Sequence, residues 1–225
     1  MTQLFETEME VLFEIAEMKR IYSAIESRLP AEEPTSLLVT SAVSGEGKTT
    51  LLAGIFTIAV RRAKKKVLVV DFNWLSPSLH TYFGLELHDI KDFTNGLSVT
   101  ELAQPSGEEN LDIITSVDPE KKAPYLVDNS IVTEIIKQSK GLYDLVLIDS
   151  RSVFPTNWQM MDPISIAPAT SGVVMSVLAN STPRQQVRRA QTVLKAARAN
   201  ILGVVVNQWK NPIAYPAIGE KATRH

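Results

Sequence analysis

Eight residues, Ala42-Val43-Ser44-Gly45-Glu46-Gly47-Lys48-Thr49, set the tightest limit on what this chain can fold into. They lie between an apolar run, SLLVTS at 36–41, and a stretch of helix-forming residues beginning at Thr49. A glycine-rich turn in that position lets backbone N–H groups close around an anion, and the helix behind it offers its N-terminus. The pattern is the Walker A form with Ala42 at the first glycine position. Lys48 is placed to reach the β- and γ-phosphates, and the Thr49 hydroxyl to hold Mg2+. ATP and Mg2+ are the expected ligands, and Ser44, Gly45, Glu46, Gly47, Lys48, Thr49 and Thr50 the expected binding residues. The bland alternative is a glycine turn with no ligand.

Beyond the loop, strand-like and helix-like segments alternate. Residues 36–41, 66–72, 111–115, 144–149, 172–178 and 201–207 read as buried strands, and 49–63, 131–139 and 183–199 as helices. Near-continuous Val, Ile and Leu runs alternating with helices predict an α/β fold. Its mostly parallel sheet is flanked by helices, as in a P-loop NTPase. Ligands in such sheets sit outside the carboxyl ends of the strands. Asp149, which ends the run Tyr143-Asp144-Leu145-Val146-Leu147-Ile148, takes the Walker B position and would hold the metal. Asp71, at the end of its own strand, is expected to face the same pocket. A lone Asp after a strand also commonly closes a turn.

Composition narrows the function further. The chain has no cysteine, which excludes disulfides and thiol chemistry. Its formal net charge of −2 gives no general pull toward nucleic acid. No apolar run has the ~18–20 residues a membrane helix needs, and the acidic N-terminus is wrong for a secretory signal. A cytoplasmic protein is expected, reaching a membrane only through a partner. Three divisions are expected: 1–34 as a helix and linker, 35–210 as the ATP-binding domain, and 211–225 as a tail. In the first, Leu4, Val11, Ile15, Met18, Tyr22, Ile25 and Leu29 form a narrow stripe. The stripe suits either its own domain or a second protomer. The basic run Arg61-Arg62-Ala63-Lys64-Lys65-Lys66 reads as a solvated turn. Trp74, beside the site, is expected to cover the nucleotide or to dock a partner.

The combined order of these pieces resembles the bacterial tyrosine kinases of capsule and exopolysaccharide synthesis, relatives of the Min and partition ATPases. It rests on Ser41–Thr50, the Asp71 strand with Ser76-Pro77-Ser78-Leu79-His80 and Phe83-Gly84-Leu85, and Tyr143–Asp149. Gly96-Leu97-Ser98, Glu109-Asn110-Leu111-Asp112, Thr182-Pro183-Arg184 and residues 201–207 extend it across about residues 15 to 210. The resemblance implies that Lys48, Asp71 and Asp149 are catalytic, with Thr49, Asp71 and Asp149 on Mg2+ and Asn207 on adenine. It also implies a homo-oligomer and a separate inner-membrane chain-length regulator. Of the family's Glu-x-x-Arg-x-x-Arg ring pattern, Glu17 and Arg20 match and Ser23 does not.

Departures from the family fall on the chemistry. Asn73 stands where the family has a second carboxylate, and Leu75 where it has an arginine. Asn carries no charge for a metal and accepts no proton. Arg151 adds a cation after Asp149, to serve phosphates or to pair with an acid. From Pro212 onward Tyr215 is the only tyrosine, where family kinases carry a cluster. The expectation is an ATP-binding, tyrosine-kinase-like protein of polysaccharide assembly with weakened transfer. Alternatives are an inert ATP-binding pseudokinase and a Min-type positioning ATPase, although the loop lacks the latter's extra N-terminal lysine.

Overall fold

The computed structural model describes residues 14, 16–30, 34–74, 76–96, 98–120, 130–154 and 161–207. The first half runs α1 (Ala16–Glu26), β1 (Thr35–Ser41), α2 (Lys48–Arg61), β2 (Val67–Asp71), α3 (Leu79–Phe83), α4 (Ile90–Thr94) and α5 (Val99–Leu102). The second runs β3 (Gln104–Pro105), β4 (Leu111–Ile114), α6 (Ser130–Gln138), β5 (Leu145–Ser152), α7 (Pro163–Ile166), β6 (Gly172–Leu178), α8 (Arg184–Ala196) and β7 (Ile201–Asn207). The first thirteen residues, Ile15, Leu75 and the tail with Tyr215 lie outside the described residues.

These strands form one sheet in the order β3-β4-β2-β5-β1-β6-β7. Every pairing is parallel except β3 with β4, so the expected mostly parallel sheet is present. From β1 the chain crosses to β2 on one side and later to β6 on the other. The loop after β1 therefore opens at the point where the winding reverses, the usual ligand crevice of such sheets.

The apolar runs bury both faces of the central strands β1, β2 and β5. Leu37, Val39, Val67, Val69, Leu145 and Leu147 pack with Leu52, Ile55 and Phe56 of α2. Leu38, Leu68, Val70, Val146 and Ile148 pack on the other side with Val132 and Ile135 of α6 and Ala190 and Leu194 of α8. The period of two along the strands thus produces a helix–sheet–helix sandwich.

In α1, Met18, Tyr22 and Ile25 are buried in the same cluster as α2. Gly54 of α2 leaves room for the Met18 methyl, which a Cβ there would strike. The described half of the N-terminal stripe therefore packs on its own domain. The basic run is not simply solvated. Arg61 makes two 3.0 Å bonds to Glu108, Lys65 pairs with Glu26 at 2.9 Å, and Lys66 lies over the Tyr143 ring at 4.9 Å.

Strand β5 reaches three residues past its expected end at 149. The cause is a bulge. Val39 pairs with Asp149 but Ser41 pairs with Ser152, so β5 takes three steps where β1 takes two. The extra residue is held by Ser150 Oγ donating to Val39 O at 3.0 Å and Thr40 Oγ1 donating to Arg151 O at 2.8 Å. Bulges beside binding sites re-aim the side chains that follow, and this one does so immediately after Asp149.

Candidate nucleotide site

The loop between β1 and α2 takes its shape from two residues with positive φ, Gly45 at 81° and Gly47 at 76°. No side chain caps the N-terminus of α2 at Gly47. A fourteen-residue helix thus opens toward the loop with its dipole and its first N–H groups uncapped, the arrangement that binds phosphate. The Lys48 ammonium donates to Ser41 Oγ at 3.2 Å, and Ser41 Oγ donates to Val43 O at 2.6 Å. Burial lowers the Lys48 pKa from the ordinary lysine value, Asp149 and Glu46 oppose the drop, and Arg151 adds to it.

Parallel pairing of β2 with β5 sets Asp71 directly beside Asp149. Thr49 Oγ1 donates to Asp149 Oδ2 at 2.9 Å, and the Asn73 N–H donates to Asp71 Oδ1 at 2.9 Å. The remaining oxygens, Asp71 Oδ2 and Asp149 Oδ1, are buried without a well-formed hydrogen bond among the described residues. Desolvation, then the neighbouring Asp149 charge, raises the Asp71 pKa against backbone N–H groups of Asn73, Leu79 and Ser78. Desolvation also raises that of Asp149, opposed by Thr49, Lys48 and the Ser150 backbone. Two adjacent buried carboxylates with idle oxygens are costly unless a proton or cation joins them. Thr49, Asp71 and Asp149 are hard oxygen donors, and they fit Mg2+, which completes its shell with water and phosphate oxygens.

A pH dependence follows. Both carboxyls bind protons more tightly folded than unfolded, so their contribution to stability is largest at acid pH. It is lost as pH rises from the ordinary aspartate range through their raised folded values. Thermal melting of the nucleotide-free protein should show this decline toward neutrality, and Asp71→Asn should flatten it. Unchanged pH dependence in that variant would contradict the carboxylate pairing.

The structure brings Lys48, Thr49, Asp71 and Asp149 together and sets several further side chains around them. Asn207, at the end of β7, lies against Gly47 and donates to Glu46 O at 3.5 Å. The Glu46 side chain does not open to a ligand, being buried in contacts with β6 and the turn beyond. Trp74 neither covers the loop nor offers a docking surface, being 1% exposed between Phe72 and Phe93. Asn73 spends its amide on Ser76 O at 2.8 Å. Arg151 is held near Asp162, whose charge opposes the effect of burial on the guanidinium, and it also bears on Lys48. The sequence does not show that Ser176 and Thr182 reach the loop from more than a hundred residues away, although Thr182 belongs to a segment shared with the kinase family.

Comparison with known proteins bears on the family and the fold. A family model described as the CobQ/CobB/MinD/ParA nucleotide binding domain matches residues 37–222. The tyrosine-protein kinase YwqD of Bacillus subtilis (strain 168) is 27% identical over 179 residues, 78% of this chain and 73% of that protein. The kinase domain of the Escherichia coli tyrosine kinase ETK superposes with a TM-score of 0.71 at 16% identity, covering 88% of this chain and 77% of that one. The septum site-determining protein MinD of Pyrococcus horikoshii OT3, complexed with Mg-ADP, gives 0.63 at 23% identity, covering 78% and 70%. At these identities the two superpositions establish the fold.

Proposed function

Since the chain belongs to the CobQ/CobB/MinD/ParA nucleotide-binding domain family, we propose that it binds ATP with Mg2+ as a tyrosine-kinase-like protein of capsule or exopolysaccharide assembly. The observation that carries this reading is the convergence of Lys48, Thr49, Asp71 and Asp149 beside an uncapped helix N-terminus. The likeness to YwqD supports the kinase-like branch. The binding unit would span 35–210, with 1–34 and 211–225 as flanking segments. No described helix is long and apolar enough to cross a membrane, so a separate inner-membrane regulator would supply that attachment. Glu17 and Arg20 stand on the exposed side of α1, as a contact between protomers requires.

In this reading Lys48 neutralises the β- and γ-phosphates and the α2 N-terminus orients them. Thr49, Asp71 and Asp149 would hold Mg2+, which when bound supplies charge neutralisation to the phosphates. Asp71, beside Asp149 at the end of β2, takes the proton of an attacking hydroxyl. Asn207 would read the adenine while staying anchored to the loop. Calorimetry of the protein with ATP and Mg2+ tests the proposal; a flat trace at millimolar nucleotide sinks it.

One observation favours a second reading, an ATP-holding protein without transfer. Asn73 is committed to its own turn, which leaves Asp71 as the sole carboxylate of that loop. Phosphotyrosine detection and a free-phosphate assay separate the two. Signal above the Lys48→Met level in either assay excludes the inert form. Asn73→Asp should cost about 1 kcal/mol in urea denaturation, because a carboxylate cannot donate to Ser76 O.

A further inference from the structure

Glu46 stands inside the phosphate loop, yet it is 1% exposed. A buried carboxylate is costly unless it is well bonded, and an anion in an anion-binding loop also repels the ligand. The structure surrounds it with donors. Its carboxylate accepts from Val43 N at 2.9 Å, Leu178 N at 3.3 Å and Thr182 Oγ1. Its carbonyl accepts from Ser176 Oγ at 2.5 Å and Asn207 Nδ2 at 3.5 Å. The Val43 bond closes a ring of residues 43–46 around the left-handed Gly45. The other bonds fasten that ring to the ends of β6 and β7.

We infer that Glu46 is a positioning residue that holds the phosphate loop in its anion-accepting shape before nucleotide arrives and ties it to the turn at 179–183 leading into α8. The inference rests on the nucleotide-binding reading and deepens it. Two effects of the carboxylate oppose each other. Its charge repels phosphate, whereas its bonds remove the cost of ordering the loop on binding. With three donors on the carboxylate itself, the bonds outweigh the repulsion.

Glu46→Gln and Thr182→Val test this, with hydrogen exchange of the nucleotide-free protein and calorimetry with ATP·Mg2+ and with adenosine. In both variants, exchange should accelerate about tenfold at 43–47 and 178–182 and not in β2 or α6. Affinity for ATP should fall roughly 10-fold in Glu46→Gln and about 5-fold in Thr182→Val, with adenosine affinity unchanged. The double variant should lose less than the product of the two, because both act through the bonds of one side chain. ATP binding as tight as wild type or tighter in Glu46→Gln would mean that charge alone matters, and overturns the inference. Acceleration spread evenly over the protein marks a merely structural role and overturns it too. Should the wild type bind no ATP, the nucleotide reading fails, and the exchange pattern still decides whether Glu46 clamps the loop.

Discussion

Gly47→Ala is expected to lower stability by about 2–3 kcal/mol and to bring ATP binding below detection in calorimetry. The residue has φ 76°, where an alanine costs about 1–2 kcal/mol. A Cβ there also collides with Asn207 Nδ2, so the amide must swing away and release Glu46 O. Losing that bond adds about 1 kcal/mol. Gly45→Ala is the internal control: its φ is 81°, but a Cβ would meet nothing within 4 Å. It should show only the backbone cost. Equal stability losses in urea denaturation of the two variants would mean that the Asn207 contact contributes nothing.

The contrast between these two glycines also shows what the sequence made legible. The loop itself was readable, because a glycine pattern between an apolar run and a helix has few uses besides holding an anion. Strands 172–178 and 201–207 agree at both ends with β6 and β7, since a parallel strand is written as an unbroken apolar run, here whether buried as in β6 or half-buried as in β7. Asp71 and Asp149 were legible as strand ends, and the parallel register then placed them side by side. What failed was whatever depends on distant residues. Nothing near Glu46 announces that its carboxylate faces Leu178 and Thr182, 132 and 136 residues away. Trp74 looked like a cover for the site because it follows Asp71 closely, but its neighbour in space is Phe93. The bulge at Ser150 and Arg151 has no glycine or proline to mark it. Two short helices do carry a local signal. Ser98 and Glu101, and Asp89 and Asp92, are capping boxes that announce α5 and α4 directly. The two-residue β3, ending in Pro105, is too short for any periodic signal.

Lys48→Met is expected to weaken ATP·Mg2+ binding about 100-fold while leaving the nucleotide-free protein within ~1 kcal/mol of wild type. A cation about 4 Å from a phosphate oxygen contributes ~4 kcal/mol at the effective dielectric of a protein surface, less the cost of desolvating it. That cost is already partly met before binding, since burial lowers the Lys48 pKa and the charges of Asp149 and Glu46 oppose it. Removing the ammonium therefore relieves desolvation but leaves the Asp149 carboxylate beside the phosphates without a counter-charge, and the second effect is larger on binding. Asp149 responds as well. Lys48 is one of the groups that hold its carboxyl down, so the variant's Asp149 should keep its proton to higher pH. Protonated Asp149 is a poor metal ligand, and deprotonation restores part of the grip. The affinity deficit of Lys48→Met should consequently shrink as pH rises from 6 to about 8.5. Calorimetry across that range reads the effect directly. A deficit that stays constant with pH would show that Lys48 acts on the phosphates alone, with no charge coupling to Asp149.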